Sequence, residues 1–292
     1  MPSSSAERWA ESRSFHHSLF PAGRIAAERE RSISVCLPAR ECAATVGAIV
    51  QQLVLLRRAG VLDEVVVVDA ASTDGTANLA RSAGAVVHQQ ADLMTGQGEV
   101  LGKGDAMWRA LSVLEGELIC FMDADTGSFS PHFATGLIGP LVCEPGVRFV
   151  KGFYRRPFTV AGARLQDGGG RVNHLAARPA LELFYPDLAA VRQPLAGEVA
   201  AERDLLTRLP FATGYGIEIA MLIDAWRDVG LEGMAQVDLD EHLNSHQPLS
   251  ALTPMATTVL ATIASRLHRE GRLLDEPSGP LERPPIGSLL AL

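Results

Sequence analysis

Asp123 and Asp125 close the apolar run Leu118 to Met122 in the stretch ELICFMDADTGSF. In an extended chain residues i and i+2 face the same side, so two carboxylates stand together where the strand stops. Such a pair repels itself, and a divalent cation removes that cost. Mg2+ takes one or two carboxylates and leaves its other positions to water and substrate phosphates. A hydrated surface turn is the alternative use of the same residues. Lys103 lies between Gly102 and Gly104 in GQGEVLGKGDAMW, with Gly96 and Gly98 upstream. Little bulk keeps its ammonium from a phosphate, although the spacing is not that of a Walker A loop. The stretch reads as a lid over a diphosphate or as a plain surface loop. Gly168 to Gly170 precede Arg171 in QDGGGRVNHL. Helix-start N–H groups and a guanidinium suit a phosphate or carboxylate, and a glycine hinge is the alternative. Asp69 ends the run VVVVD and is followed by Ser72, Thr73, Asp74 and Gly75. These residues either cap a helix or let Asp69 meet a base or ribose.

The elements that must hold these residues are legible from Ser32 onward. SISVCLPA, DEVVVVDA, AVVHQQ and ELICFMDAD read as strands. TVGAIVQQLVLLRRAG, STDGTANLARSAG and GKGDAMWRALSVLEG read as helices between them. Continuous Val/Ile-rich strands alternating with helices predict a parallel sheet covered on both faces. Ligands of such sheets bind outside the carboxyl ends of the strands. Pro38–Glu41, Asp69–Gly75, the Gly102–Gly104 loop and Asp123–Asp125 all fall there. The second half is predicted to hold a strand with a basic end (VRFVKGFYRRPF) and helices over GEVAAERDLLTRLPF and YGIEIAMLIDAWRDVGL. A strand at MAQVDLD and an amphipathic helix at LTPMATTVLATIASRLHREG follow. The division expected is an arm over 1–31, a first half of the main domain over 32–125, a second half with the C-terminal helix over 126–270, and a loose tail over 271–292.

Composition narrows the function. The chain has 292 residues, 47% hydrophobic but only 5% aromatic, with a formal charge of −8. That size and apolar content support a full core. The negative charge argues against a nucleic-acid binder and requires any anionic ligand to find a local basic site. Cys36, Cys42, Cys120 and Cys143 form no C-x-x-C pair and read as free thiols of a reducing compartment. Polar residues at 1–14 and no apolar run of about 18 residues point to a cytoplasmic protein without a membrane segment.

Taken in order, the Pro38-x-x-Glu41 strand end, VVVVDAASTDGT, GKGDAMWRAL and FMDAD resemble a nucleotide-sugar glycosyltransferase of the GT-A fold. VKGFYRRPF, GGGRVNHLAARP, QPLAGEVAAERDLLTRLPFATGYGIEIAMLID and AQVDL resemble the glucosyl-3-phosphoglycerate and mannosyl-3-phosphoglycerate synthases of glycosyltransferase family 81. The likeness runs from about residue 32 to 265. It implies an α/β GT-A fold and a metal-dependent retaining enzyme. The hexose would come from UDP-glucose or GDP-mannose and go to the C2 hydroxyl of D-3-phosphoglycerate. A homodimer, compatible-solute synthesis and Mg2+ as cofactor, with Mn2+ or Co2+ as substitutes, belong to the same implication. Pro38, Ala39, Arg40, Glu41, Asp69 and Ser72 would line the nucleotide pocket. Lys103 would meet the diphosphate, and Asp123, Ala124 and Asp125 the ribose and metal. Leu195, Tyr215 and Glu218 would surround the hexose, so Asp125, Lys103, Leu195 and Glu218 are the candidate catalytic set. Gly169, Gly170, Arg171 and Asn173 would hold the acceptor, with Asn173 standing where the family carries threonine. The family's metal-binding histidine falls on Asn244 here, so His246 or His242 is expected beside Asp125 and Asp123. Another GT-A transferase with a different phosphorylated acceptor, a sugar-1-phosphate nucleotidylyltransferase and a non-catalytic sugar-nucleotide sensor are the rivals.

Overall fold

The computed structural model describes residues 5–160, 163–165, 169–242, 248–274 and 281–290. The chain opens with α1 (Ser5–Arg13), the short strand β1 (Ser14–His16) and α2 (Ala22–Glu28). Then β2 (Ile33–Ala39), α3 (Val46–Arg58), β3 (Glu64–Asp69), α4 (Thr76–Ala83), β4 (Val86–Gln89), α5 (Lys103–Ala110) and β5 (Leu118–Phe121) alternate as their pattern predicts. Next come α6 (His132–Cys143), β6 (Phe149–Arg155), an antiparallel pair β7 (Phe158–Val160) and β8 (Ala163–Leu165), and α7 (Arg178–Phe184). The last stretch holds β9 (Val199–Glu202), α8 (Arg203–Arg208), β10 (Phe211–Ala212), α9 (Ile217–Val229), β11 (Met234–Glu241), α10 (Thr253–Arg269), β12 (Glu282–Arg283) and α11 (Gly287–Leu290).

Eight strands form one sheet in the order β1-β11-β6-β9-β5-β2-β3-β4. Neighbours are parallel except at β9, which runs antiparallel to both β5 and β6. Successive strand residues serve opposite faces, as the pleat requires. Val66, Val68, Ile119 and Phe121 join one core, and Val65, Val67, Leu118 and Cys120 the other. Cys36, Cys42 and Cys120 are buried free thiols, and Cys143 is half-buried.

Three sequence expectations change. GEVAAERDLL is not one helix: Val199–Glu202 is a central strand and only Arg203–Arg208 is helical. Ala200 and Ala201 favour helix locally, but the gap between β5 and β6 needs a strand, and sheet pairing overrides the preference. The arm is part of the body, because β1 pairs with β11 and Trp9, 4% exposed, donates its indole N–H to the Met234 carbonyl. The tail is not loose over its described residues 281–290. β12 pairs with β10, Ile286 is fully buried, and Trp108 donates to the Pro284 carbonyl at 2.7 Å.

Candidate active site

The carboxyl ends of β2, β3, β5, β6 and β11 open on one edge of the sheet, together with the amino end of the reversed strand β9. At β2 the chain leaves through Pro38 and Ala39 into Glu41, which takes a left-handed φ of 53°. That turn points the Glu41 N–H at Ser72 Oγ (2.8 Å), while its carboxylate accepts from the Thr73 N–H (2.8 Å). The two loops are thereby fastened together, with Arg40 exposed beside them. Asp69 is 1% exposed. Its Oδ2 accepts from Gln89 (3.0 Å) and from the Ser72 N–H (3.2 Å), whereas its buried Oδ1 has no protein partner. A buried acceptor without a partner is costly, so this oxygen is suited to a ligand N–H or O–H.

Lys103 begins α5. Gly102, with φ 84°, turns the chain into the helix, and Gly104 lies so close to the Ala212 carbonyl that any Cβ would collide with it. The helix start is thus seated against the chain leading to Tyr215 and Glu218. The Lys103 ammonium donates to Asp123 Oδ1 at 2.5 Å and to Glu218 Oε1 at 2.9 Å. Desolvation works against its charge, but the carboxylates of Asp123 and Glu218 hold its pKa well above the ordinary value. Ala124 is buried, and its carbonyl accepts from Thr45 Oγ1 at 2.6 Å, which fixes the Asp-Ala-Asp turn. Asp123 abuts Gly197, where a Cβ would meet its carboxylate. Asp125 faces solvent, yet the surrounding protein and then the Asp123 charge push its carboxyl above the usual range.

At the glycine loop, Gly169 donates to the Arg156 carbonyl at 3.1 Å, and Gly170 has φ 71° before the helical turn that carries Arg171. Pro179 lacks an N–H, and the turn ahead of it widens to a π-helix over Asn173–Ala177. Asn173, 7% exposed, spends its carboxamide oxygen on the Leu195 N–H (3.1 Å). This residue therefore links the glycine loop to the turn before Gly197 instead of pointing that oxygen at a ligand. Gly168 lies outside the described residues, as do Asn244 and His246. Tyr215 is 58% exposed in the turn that leads into α9.

His242 is buried at the end of β11. Its Nε2 is 3.0 Å from Thr126 Oγ1 and 3.3 Å from Glu198 Oε1, and its ring stacks on Tyr154. Its Nδ1 is buried and has no protein partner. Sequence reasoning missed two charged residues under this edge. Lys151 is 3% exposed and donates to the Ala196 carbonyl at 2.5 Å. Glu198 is 1% exposed and accepts from Tyr154 at 2.8 Å. Burial alone would raise the Glu198 carboxyl, and the His242 hydrogen bond, aided by Tyr154, more than offsets it, so the net shift is downward. A lysine inside the apolar run VRFVKGFY was a signal for the first. No signal marked the second, because its segment read as helix. Among the described residues no helix is long and apolar enough to cross a membrane.

A Rossmann-like half with an Asp-x-Asp turn, a glycine-flanked lysine and a second loop cluster on the same sheet edge defines a GT-A glycosyltransferase. Residues 34–156 match the family model Glycosyl transferase family 2. The glucosyl-3-phosphoglycerate synthase of Mycolicibacterium smegmatis is 42% identical over 260 residues, 89% of this chain and 86% of the relative. The crystal structure of mannosyl-3-phosphoglycerate synthase from Rubrobacter xylanophilus superposes with a TM-score of 0.90 at 42% identity, covering 99% of each chain. That of the Mycobacterium tuberculosis glucosyl-3-phosphoglycerate synthase with Mn2+, UDP-glucose and phosphoglyceric acid gives 0.81 at 37% identity, over 92% of this chain and 95% of that one. The chain belongs to the glucosyl-3-phosphoglycerate synthase family.

Proposed function

We propose that this enzyme moves a hexose from a nucleoside diphosphate sugar to the C2 hydroxyl of D-3-phosphoglycerate, with retention of configuration. The observation that carries the reading is Asn173 bonded to Leu195. It joins the glycine loop to the turn whose Gly197 touches Asp123, which supports a reading in which two phosphorylated substrates meet at one point. UDP-glucose, bound by a relative's structure, is the first donor to test, with GDP-mannose beside it.

The donor set fits a divalent cation. Asp123 and Asp125 are paired hard oxygens, and His242 Nδ1 is a buried atom without a protein partner. Asp125 and Asp123 would hold the ion, with His242 or His246 as the third ligand, and Mn2+ or Mg2+ as its identity. When bound, it neutralises charge on the departing diphosphate. Lys103 adds a fixed positive charge on the same side once the donor's phosphates draw it from Asp123. Asp69 and Ser72, with Pro38, Ala39, Arg40 and Glu41, would grip the nucleoside, and Ala124 would pack under the ribose. Glu218 and Tyr215 would hold sugar hydroxyls. Gly169, Gly170 and Arg171 would fix the acceptor's anionic groups. Leu195 would shape the sugar's reacting face. The acceptor hydroxyl reaches the anomeric carbon from the face the phosphate leaves, and a leaving-group oxygen takes its proton. No protein nucleophile is required, and positioning supplies much of the rate. A homodimer is part of this proposal. The exposed Leu183 and Phe184 on α7 and Leu260 on α10 offer apolar surface for a second copy, which sedimentation would detect.

Purified protein given 3-phosphoglycerate, Mn2+ and either donor should form a phosphatase-sensitive glycosyl product. Proton NMR should show the α-anomer from an α-linked donor. No product from either donor rejects the acceptor assignment, and a β-linked product rejects the mechanism.

A further inference from the structure

We propose that His16, His17 and Asp240 form a second cation site, apart from the Asp123–Asp125 turn, for a divalent transition metal of the Zn2+ type. Among the described residues they are the one set of three His, Cys, Asp or Glu side chains whose donor atoms all lie within 4.8 Å of one another. His17 Nε2 is 2.6 Å from Asp240 Oδ2, and His16 Nε2 is 3.5 Å from Asp240 Oδ1. Both imidazoles thus turn the same nitrogen toward the two oxygens of one carboxylate.

The fold builds this convergence. β1 lies parallel to β11 with His16 opposite Asp238, so the chain leaving β1 runs beside the last residues of β11, where the pairing with β6 shifts register between Asp238 and Glu241. Asp240 has a left-handed φ of 67°, and its N–H is held by Asp238 Oδ1 at 2.9 Å, which turns the side chain out of the strand alternation. His16 has its far nitrogen 2.8 Å from Ser18 Oγ, the kind of outer contact that orients a ligating imidazole. The His17 side chain is only 16% exposed and stacks on His132 at 4.1 Å. His132 is in turn 3.1 Å from the Leu239 carbonyl through Nε2. Two of the three ligands are therefore already held in place without an ion.

The donor chemistry selects the metal class. Two neutral imidazoles and a carboxylate suit Zn2+, Co2+ or Ni2+, whereas Mg2+ and Ca2+ prefer oxygen alone. In the metal-free form His17 Nε2 and Asp240 Oδ2 face each other across a hydrogen bond, and a bound cation would sit between the same two atoms. Arg155 lies 3.5 Å from Asp240 Oδ1 and 3.9 Å from Glu241 Oε1, so it keeps a carboxylate partner when the ion arrives. The ion would cross-link the N-terminal arm to the end of β11, where β1 alone offers three residues of pairing.

The test uses the Asp125→Ala full chain after chelation, which disables the donor-side site and needs no turnover, so its outcome is separate from the transferase reading. Calorimetric titration with Zn2+ should show one equivalent bound. Tm should rise by about 5 °C at a hundredfold excess over Kd, and Mg2+ should leave it unchanged. Adding His17→Ala or Asp240→Asn should abolish that equivalent, with circular dichroism in chelator reporting whether the variants fold. Independently of any further variant, Co2+ on the Asp125→Ala chain should give visible bands of nitrogen and oxygen ligation that Zn2+ bleaches. No Zn2+ bound, an equivalent that survives His17→Ala in a folded protein, or no Co2+ bands overturns the proposal.

Discussion

Lys103 sits between two acids that need it for different reasons. Asp123 and Glu218 keep its ammonium charged before any substrate arrives. Lys103→Ala should cut kcat by about 10²–10³, the usual cost of removing one preorganised charge from a transition state. Chelated wild-type protein and Asp125→Ala should both lose transfer while their circular dichroism stays native, because Asp125 faces solvent and holds no core contact. Full activity in either sinks the metal assignment. Lys151 makes a different statement. Burial, opposed by Glu218, pushes its ammonium down to about 8. The unfolded value is near 10.4. The folded state is therefore penalised while the lysine is charged, fully so below pH 8. That penalty is relieved as pH rises from about 8 toward 10.4. Lys151→Met removes the titration, so the difference in Tm between wild type and variant should shift in favour of wild type across that window. A pH-independent difference contradicts it. The same variant frees the Ala196 carbonyl, and kcat should fall with the donor Kd little changed.

The elements that were legible in sequence share one property: their signal is local. SISVCLPA and DEVVVVDA are fully apolar between punctuating residues and became β2 and β3. Gly84, the last residue of the helical stretch STDGTANLARSAG, caps α4 with φ 104°. The illegible ones are made by partners distant in the chain. β9 is a strand because β5 and β6 leave a slot, and β12 is ordered because β10 offers an edge. The site followed the same division. Asp123 and Asp125 announced themselves by spacing, while Glu198 needed the strand reversal to reach Tyr154 and His242. The C-terminal element has a testable task. Arg283 donates to the fully buried Asp105 at 2.5 Å and to the carbonyls of Gln97 and Glu99. Arg109 binds the same Asp105 and the Gly98 carbonyl. Two arginines thus pin the loop that delivers Lys103. Losing charge-assisted bonds worth roughly 1.5–3 kcal/mol should raise the donor KM about tenfold or more in Arg283→Ala and less in Arg283→Lys. The KM for 3-phosphoglycerate should stay near wild type. Equal losses for both substrates would mean general damage.

At the scale of the molecule, the two sequence halves are one folding unit. The reversed strand β9 belongs to the second half, yet it bonds to β5 of the first through Phe121↔Val199, Cys120↔Ala200, Ile119↔Ala201 and Leu118↔Glu202. Each of the two cores, one per sheet face, draws residues from both sides of residue 125. Arg31 of the arm bonds to Glu202 at 2.7 Å and to the Leu141 carbonyl at 2.6 Å, which closes the seam from outside. A fragment of residues 1–125 would leave β1 without β11, β5 with one bare edge, and Ile119, Phe121, Leu118 and Cys120 facing water in place of the second half. An open, flat, apolar edge of that kind pairs with other copies. The expressed fragment should therefore be unfolded or aggregated, and the whole chain should melt in one transition. Calorimetric and van't Hoff enthalpies should agree, and near-ultraviolet and far-ultraviolet circular dichroism should report the same midpoint. Saturating UDP-glucose with Mn2+ should move that single midpoint upward as a unit, since a ligand of the native state stabilises everything that unfolds with its site. A fragment of 1–125 that is monomeric and folded, or a melt in which the donor shifts only one of two resolved steps, would show that the boundary at residue 125 is a real division.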